Sequence, residues 1–193
     1  MKKIKKYLKK HLTKDRYKHT IGVAYTAMSL AMRYNPNTEN SDFVQKAQIA
    51  GLLHDCAKCM DNDKKIALCD KNGISYSAFE KENPYLLHGK VGAYIAKTKF
   101  DISDDDILNA IIWHTTGRPN MSLLEKIIFI ADYIEPGRRP IPELDLIRKL
   151  AFDDIDLAMQ KILFNTLSYL NSKGNPIDSM TQKTYDSYVH IRE

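Results

Sequence analysis

Four of the six histidines in this 193-residue chain sit where packing alone gives no reason for them. His54 ends the apolar run Ala50-Gly51-Leu52-Leu53 and is followed at once by Asp55. His88 follows Leu86-Leu87, and His114 ends Ile111-Ile112-Trp113. His19 shares a helix face with Val23, Ala27 and Leu30, at steps of four, eight and eleven. Only His11 and His190 stand in polar surroundings. One histidine on an apolar face is ordinarily a satisfied core residue, but four on four separate helices ask for a common partner. Asp132 joins them, because steps of four place it with Ile128 and Leu124. Two carboxylates in apolar settings, with no matching buried Lys or Arg nearby, are hard to keep ionised. A divalent cation takes neutral imidazole and carboxylate together and resolves both problems. Such N/O ligands admit iron, manganese, cobalt or zinc. His54 and Asp55 are adjacent, so their side chains leave a helix about 100° apart. They reach one ion only near the helix end, or else Asp55 bridges toward a second centre.

The elements that must hold these residues read as helices. Nearly every segment has the 3.6-residue period, and none alternates convincingly as a strand. A long helix starts at Asp15 and is stopped by Asn35-Pro36-Asn37. Ser41 or Asp42 caps the helix that carries His54-Asp55, and a shorter one runs from about Asn62 to Gly73. Ser75 to Glu82 is a helical turn broken by Asn83-Pro84, and residues 86–100 form the His88 helix. Ser103 is the expected N-cap of the helix ending at His114, with Asp106 at the capping-box position. Ser122 and Glu125 form a second capping box ahead of the Asp132 helix, which Pro136-Gly137 ends. Pro142 opens a helix through about Leu150, Asp153 or Asp154 caps the next, closed by Gly174, and a last one runs from about Ser179. The expectation is an all-α bundle of roughly nine helices in one domain over 1–193. Residues 1–14 form a basic N-terminal helix and 15–193 the core.

Composition is that of a soluble globular protein. No apolar run reaches roughly 18 residues, so no membrane span is expected. The charged N-terminus does not read as a secretory signal, and three cysteines suit a reducing cytoplasm. The net charge of +5 is uneven, since residues 1–18 hold nine Lys or Arg against one Asp. Ile4, Tyr7, Leu8, His11 and Leu12 recur there at helical spacing. The plain reading is a solvated helix docking its apolar stripe on the body; the alternatives are an anionic surface or a polyphosphate substrate. No nucleic-acid motif is present, and no aromatic residues interleave the lysines.

The order His19, His54-Asp55, Asp132 resembles the H…HD…D signature of the HD-domain metal-dependent phosphohydrolases, which are all-helical. The segments Arg16-Tyr-Lys-His19, Gly51-Leu-Leu-His-Asp-Cys-Ala-Lys58, Leu86-Leu-His-Gly89, Trp113-His-Thr-Thr-Gly117 and Ala131-Asp-Tyr-Ile-Glu-Pro-Gly-Arg138 are together similar to the YqeK-type HD family. That family is described as symmetrical bis(5′-nucleosyl)-tetraphosphatase, cleaving diadenosine tetraphosphate to two ADP, and the resemblance covers about residues 16–190. It implies a metal core of His19, His54, Asp55 and Asp132, most often with iron, as one or two ions. It also implies hydrolysis by metal-bound hydroxide. His88 and His114 match family histidines beside the metal, which contact substrate phosphates or hold a second ion. Lys58, about one turn past the HD pair, resembles the lysine that neutralises phosphate charge, and Asp55 would orient the nucleophile as well as bind metal.

Arg16, three residues before His19, suits a phosphate, and Arg138 could fork onto one bidentately. Arg118 and Arg139 are weaker candidates. Lys173-Gly174-Asn175-Pro176-Ile177-Asp178 resembles a family segment near the nucleotide, though a simple turn between helices explains it equally. Thr115-Thr116-Gly117 offers small polar groups beside His114. The expected partner is a small nucleotide, not nucleic acid; a homodimer is left open.

Cys56-Ala-Lys-Cys59 has the spacing of a redox or zinc motif. A thioredoxin-type site needs a βαβ context, and a structural zinc needs about four ligands where only Cys69 remains. The cysteines therefore read as incidental. Competing functions are an HD phosphohydrolase of alarmones, deoxynucleotides or cyclic dinucleotides, an HD-type di-iron oxygenase, and a non-catalytic nucleotide-binding module.

Overall fold

The computed structural model describes residues 1–35 and 42–189. Among these residues the chain forms eleven α-helices and one 3₁₀ turn, with no strand. The all-α expectation holds, and the helix number is higher than roughly nine. The helices are α1 (Lys2–His11), α2 (Lys14–Tyr34), α3 (Asp42–Leu53), α4 (Asn62–Asn72), α5 (Ala78–Glu82) and α6 (His88–Phe100). They continue with α7 (Asp105–Trp113), α8 (Leu123–Ile134), α9 (Leu144–Asp153), α10 (Ile155–Ser172) and α11 (Ser179–Val189); the 3₁₀ turn Pro84–Leu87 precedes α6.

The long helix α2 is the central post, packed on both α3 and α8. It approaches α3 closely because Gly51 lacks a side chain: a Cβ there would lie 2.8 Å from the Ala24 Cα. α7 packs on α3, α6 and α8, so the four helices that carry or precede the key histidines share one centre. Leu30, Leu52, Leu53, Ile111, Leu124, Ile127 and Ile128 are fully buried there. Truncating any one of them to Ala costs about 2–5 kcal/mol. α10 lies on α8, α9 and α11, and one continuous apolar core runs from Ile4 to Tyr188.

Several helix ends follow the expected caps. Ser122 and Glu125 form the capping box of α8. Gly73 closes α4 at φ 66°, and Asp154 caps α10 by accepting from the Leu157 N–H. Three differ. α7 is capped by Asp104, not Ser103; its carboxylate accepts from the Asp106 and Ile107 N–H groups and complements the helix dipole. Asp106 accepts instead from the Ser122 hydroxyl at 2.5 Å, tying α7 to α8. α9 begins at Leu144, not Pro142, because Glu143 takes a left-handed turn at φ 59° just before it. α2 starts one residue earlier than expected, on a Thr13 cap that accepts from the Arg16 N–H. Ser41 as a cap of α3, Pro36-Asn37 as the stop of α2, and His190 lie outside the described residues.

α1 docks as the plain reading expects. Ile4, Leu8 and Leu12 are buried, Tyr7 stacks on His11 with ring centres 3.9 Å apart, and its lysines face outward apart from Lys5, which is half-buried.

Candidate metal centre

Asp55 is the hub. It lies on the turn that follows α3, where the helix has unwound, and only 2% of its side chain is exposed. The turn removes the difficulty of two adjacent ligands leaving a helix in different directions. His54 Nε2 lies 3.5 Å from Asp55 Oδ2, and His19 Nε2 lies 3.9 Å from the same oxygen. The other oxygen, Oδ1, faces His88 Nε2 at 3.2 Å and His114 Nε2 at 3.6 Å. Asp132 Oδ1, on α8, is 2.9 Å from His19 Nε2. The carboxylate of Asp55 thus separates two triads: His19, His54 and Asp55 on one side, and Asp55, His88 and His114 on the other. His54, His114 and Asp132 make a third, and in each the candidate ligand atoms lie within 4.8 Å of one another.

The backbone fixes the tautomers of these rings. His54 Nδ1 donates to the Gly51 carbonyl at 2.7 Å, His88 Nδ1 to Tyr85 at 2.6 Å and His114 Nδ1 to Ile111 at 2.7 Å. His19 Nδ1 donates to the Glu135 carboxylate at 3.0 Å. Each acceptor is a carbonyl or carboxylate, so the proton is on Nδ1 and the Nε2 lone pair points inward. Four lone pairs and the two Asp carboxylates then converge with too few protons between them. His19 Nε2, His54 Nε2 and Asp55 Oδ1 are buried and make no hydrogen bond among the described residues. The His19–Asp132 contact is short but not aligned as a hydrogen bond. His88 and His114 bring their Nε2 atoms within 2.9 Å of each other. That is the spacing of neighbouring ligands around one cation at about 2.0–2.1 Å. Hence the residues fit a metal.

α6 and α7 reach this closeness through Gly89, where a Cβ would be 2.6 Å from the Ile112 carbonyl oxygen. Electrostatics agree with a missing positive charge. Burial opposes ionisation of Asp55, yet the surrounding imidazoles hold it well below the usual carboxylate range. Burial disfavours charge on His54 too, but Asp55 and Asp132 outweigh it and its pKa is drawn up. His88 goes the other way, down to about 4, through burial with Lys58 and His114 nearby. It is neutral at pH 7, as a ligand must be.

Two cations flank the hub. Arg16 donates to Asp55 Oδ2 at 2.8 Å. This corrects the expectation that no Lys or Arg matches the carboxylates, since Arg16 meets Oδ2 and Lys58 stands near Oδ1, while Asp132 has only His19 beside it among the described residues. The Lys58 ammonium is 3.8 Å from Asp55 Oδ1 and 3.1 Å from His88 Nε2. Both side chains are about one-third exposed, so each has solvent access for an anion. Thr115 Oγ1 lies 3.1 Å from His114 Nε2 and 3.3 Å from His88 Nε2.

The remaining candidates stand apart from the hub. The Arg138 guanidinium sits 6.0 Å from the Tyr133 ring centre and lines a separate cavity. Lys173, Gly174, Asn175 and Pro176 are exposed in the α10–α11 turn, where Gly174 takes φ 63°; Ile177 is half-buried. Asp178 accepts from the Met180 N–H at the start of α11 and, with Thr116, lines a cavity of about 270 Å³. Arg118 forks onto buried Glu125 at 2.7 and 3.2 Å and serves the fold. Cys56 is buried, its thiol pushed up to about 12 by burial and by Asp55, while Cys59 is exposed. All three cysteines are free.

Sequence reasoning missed Glu135. It is almost fully buried, orients His19 with one oxygen and accepts the Gly137 N–H at 2.6 Å with the other. Its one sequence signal is position, a carboxylate one turn past Asp132 and directly before Pro136-Gly137. Holding the far nitrogen of a ligating histidine is the usual task of such a group.

A helical bundle with this His/Asp hub defines a class, and the family model of the HD domain matches residues 16–137; the chain belongs to that family. Within it, the chain falls with proteins named symmetrical bis(5′-nucleosyl)-tetraphosphatase. It is 42% identical to the one from Halalkalibacterium halodurans, over 94% of this chain and 93% of the relative. It is 39% identical to the Bacillus subtilis protein over 94% of both, and 37% identical to the Staphylococcus aureus protein over 99% and 95%. A crystal structure from Clostridium acetobutylicum, described as an HD superfamily hydrolase involved in NAD metabolism, superposes with a TM-score of 0.90 at 45% identity. The match covers 97% of this chain and 96% of that one. No helix among the described residues is long and apolar enough to cross a membrane.

Proposed function

We propose that the chain is a symmetrical bis(5′-nucleosyl)-tetraphosphatase, hydrolysing diadenosine tetraphosphate to two ADP in the cytoplasm. The observation that carries the chemistry is the convergence of four Nε2 lone pairs on Asp55, with two cations beside it. The relatives' names carry the choice of substrate. The free cysteines suit the compartment. The reading takes residues 1–193 as one HD domain, with 1–14 as a basic appendage, and the continuous core supports it.

His19, His54, Asp55 and Asp132 would hold the first ion, which we take to be iron, and Asp55, His88 and His114 offer ligands for a second. A cation bound there supplies Lewis acidity and a water whose pKa falls toward about 7. The chain's own groups do the rest. Glu135 and the Gly51, Tyr85 and Ile111 carbonyls keep each imidazole proton on Nδ1 and each Nε2 available. Lys58 and Arg16 neutralise the non-bridging oxygens of the polyphosphate, whose charge grows as the anhydride breaks. When phosphate arrives, Arg16 exchanges part of its contact with Asp55 for the anion. Thr115 offers a hydroxyl on the His88–His114 side.

The test is product analysis with iron-loaded protein. ADP as the sole nucleotide, two per substrate, supports the reading. ATP with AMP, or no hydrolysis, refutes it. His54→Ala and Asp55→Ala abolish metal binding and activity together.

A further inference from the structure

The turn that presents Asp55 also carries two thiols that the proposed hydrolysis does not use. Between α3 and α4 the chain makes successive turns in which the Cys56, Lys58 and Met60 N–H groups donate to the Leu53, Asp55 and Ala57 carbonyls. Each bond spans three residues, the pitch of a 3₁₀ helix, and at that pitch residues i and i+3 eclipse. Asp55 and Lys58 show it directly, with the Lys58 ammonium 3.8 Å from Asp55 Oδ1. Cys56 and Cys59 are the next such pair, one residue further on. Both line one cavity of about 240 Å³, which Tyr7 and His11 of α1 line as well. Three residues at this pitch rise about 6 Å. That lies within the span of about 4.4–6.8 Å between Cα atoms that a disulfide bridges.

The two thiols differ in a way that suits two consecutive steps. Cys59 is exposed, with Lys58 directly before it and Lys64 in the wall of the same cavity. Reactive thiols occupy such open, electropositive settings. Cys56 is buried and donates its S–H to the Gly92 carbonyl on α6 at 3.7 Å. Cys69, also buried, does not line the cavity.

We propose that Cys56 and Cys59 are an oxidation site, closed into a disulfide by a hydroperoxide, and that closure slows the adjoining metal centre. The Cys59 sulfur attacks one oxygen of the peroxide and the O–O bond breaks. The other oxygen leaves with the thiol proton, as water or an alcohol, and Cys59 becomes a sulfenic acid. The Cys56 sulfur then attacks the Cys59 sulfur, the S–O bond breaks, and the hydroxyl leaves as water with the Cys56 proton. The thiol pair gives up two electrons and two protons, and the peroxide takes them. The bond cannot form without moving the turn. An S–S length of about 2.05 Å draws the Cys56 sulfur off the Gly92 carbonyl toward Cys59. Asp55 and Lys58 each directly precede one of these cysteines, so the hub carboxylate and the cation beside it shift together. Thiol reductants reopen the pair, as they do other transient disulfides in reducing compartments. The effect on turnover rests on the hydrolase activity proposed above; the disulfide itself does not.

The experiment treats metal-loaded wild type and Cys59→Ser with hydrogen peroxide and then with dithiothreitol. Cys59 is exposed, so serine there leaves the fold and the basal turnover as they are. Trypsin cuts after Lys58, between the two cysteines, so the disulfide shows as two peptides joined until reduction. The other readouts are turnover of diadenosine tetraphosphate and metal affinity in competition with a chelator. Wild type should give the joined peptides, with turnover and metal affinity each lowered about tenfold or more, since a shift of about 1 Å costs up to about 10²-fold. Dithiothreitol should restore both, and Cys59→Ser should keep both under peroxide. Absence of the joined peptides overturns the proposal. So do joined peptides with turnover and metal affinity within twofold of the reduced protein. A loss that strikes Cys59→Ser equally, or that dithiothreitol does not reverse, assigns the damage to the metal and also overturns it. Wild type inert before oxidation refutes the hydrolase reading, and the joined peptides and chelator competition still decide the switch.

Discussion

Substituting Glu135 by Gln isolates the contribution of a carboxylate that touches no metal. The two side chains have the same shape, so the change leaves no void. What differs is the number of acceptors. Glu135 receives two donors, His19 Nδ1–H at 3.0 Å and the Gly137 N–H at 2.6 Å, one on each oxygen. Glutamine has one oxygen and an NH₂, so one of these donors must face an N–H group. If His19 loses its acceptor, the ring is free to turn or to shift its proton to Nε2, and the lone pair aimed at the metal is lost. If Gly137 loses its acceptor, the turn carrying Arg138 loosens. Removing such an orienting partner weakens metal affinity by about 10–100-fold, which is about 1.4–2.7 kcal/mol at 1.36 kcal/mol per decade. The assay is competition for the metal against a chelator, followed by activity at saturating metal. Glu135→Gln should bind more weakly by that factor, and excess metal should restore much of its turnover. Metal affinity within twofold of wild type would refute the argument, and so would a lost fold with unchanged affinity in the folded fraction.

Lys58→Ala should keep its metal and lose about 10²–10³-fold in turnover, the scale for one donor to a developing oxyanion; metal analysis beside kcat reads both. Gly89→Ala forces a Cβ against the Ile112 carbonyl, so α6 must move off α7 and separate His88 from His114. It should cost about 1–3 kcal/mol, or roughly 2–12 °C in Tm, and lower activity; calorimetry checks it, and an unchanged Tm would deny the close approach. A thiol reagent at pH 8 should modify Cys59 quickly and Cys56 and Cys69 only after unfolding. Counting thiols with and without denaturant decides this, and Cys56→Ser with Cys59→Ser should leave metal content intact.

The hub was legible because its residue types contradict their surroundings. Three histidines and Asp55 at the ends of apolar runs, and His19 and Asp132 on apolar helix faces, can be read without coordinates, and each of them reaches the centre. The shell around them was not legible, for a physical reason. The groups that set the tautomers are mainly backbone carbonyls, those of Gly51, Tyr85 and Ile111, and a carbonyl has no identity in a sequence. Each lies three residues before the histidine it serves, at a place where the helix ends or tightens, so the geometry comes from the turn. Glu135 has an identity, yet a glutamate before Pro-Gly reads as a solvated helix end. Its burial comes from docking against α2, which is a tertiary fact. Arg16 illustrates the converse error. The absence of a buried cation was argued from the neighbours of Asp55 in sequence, while Arg16 arrives from 39 positions away to lie 2.8 Å from its carboxylate.

That pairing sharpens the case for a metal. The Arg16 guanidinium meets one oxygen of Asp55 and the Lys58 ammonium stands 3.8 Å from the other, which leaves Asp132 and the His19 and His54 lone pairs without a matching cation. Were Arg16 the structural counter-ion of this cluster, Arg16→Gln would unfold the protein. If a cation carries the cluster, the variant should remain folded and keep its metal, and the loss should appear in KM for a polyphosphate substrate. Thermal unfolding at saturating metal, set beside KM, separates the two. A collapse of Tm at saturating metal would make Arg16 the true partner of Asp55 and remove the chief physical argument for an ion at the hub.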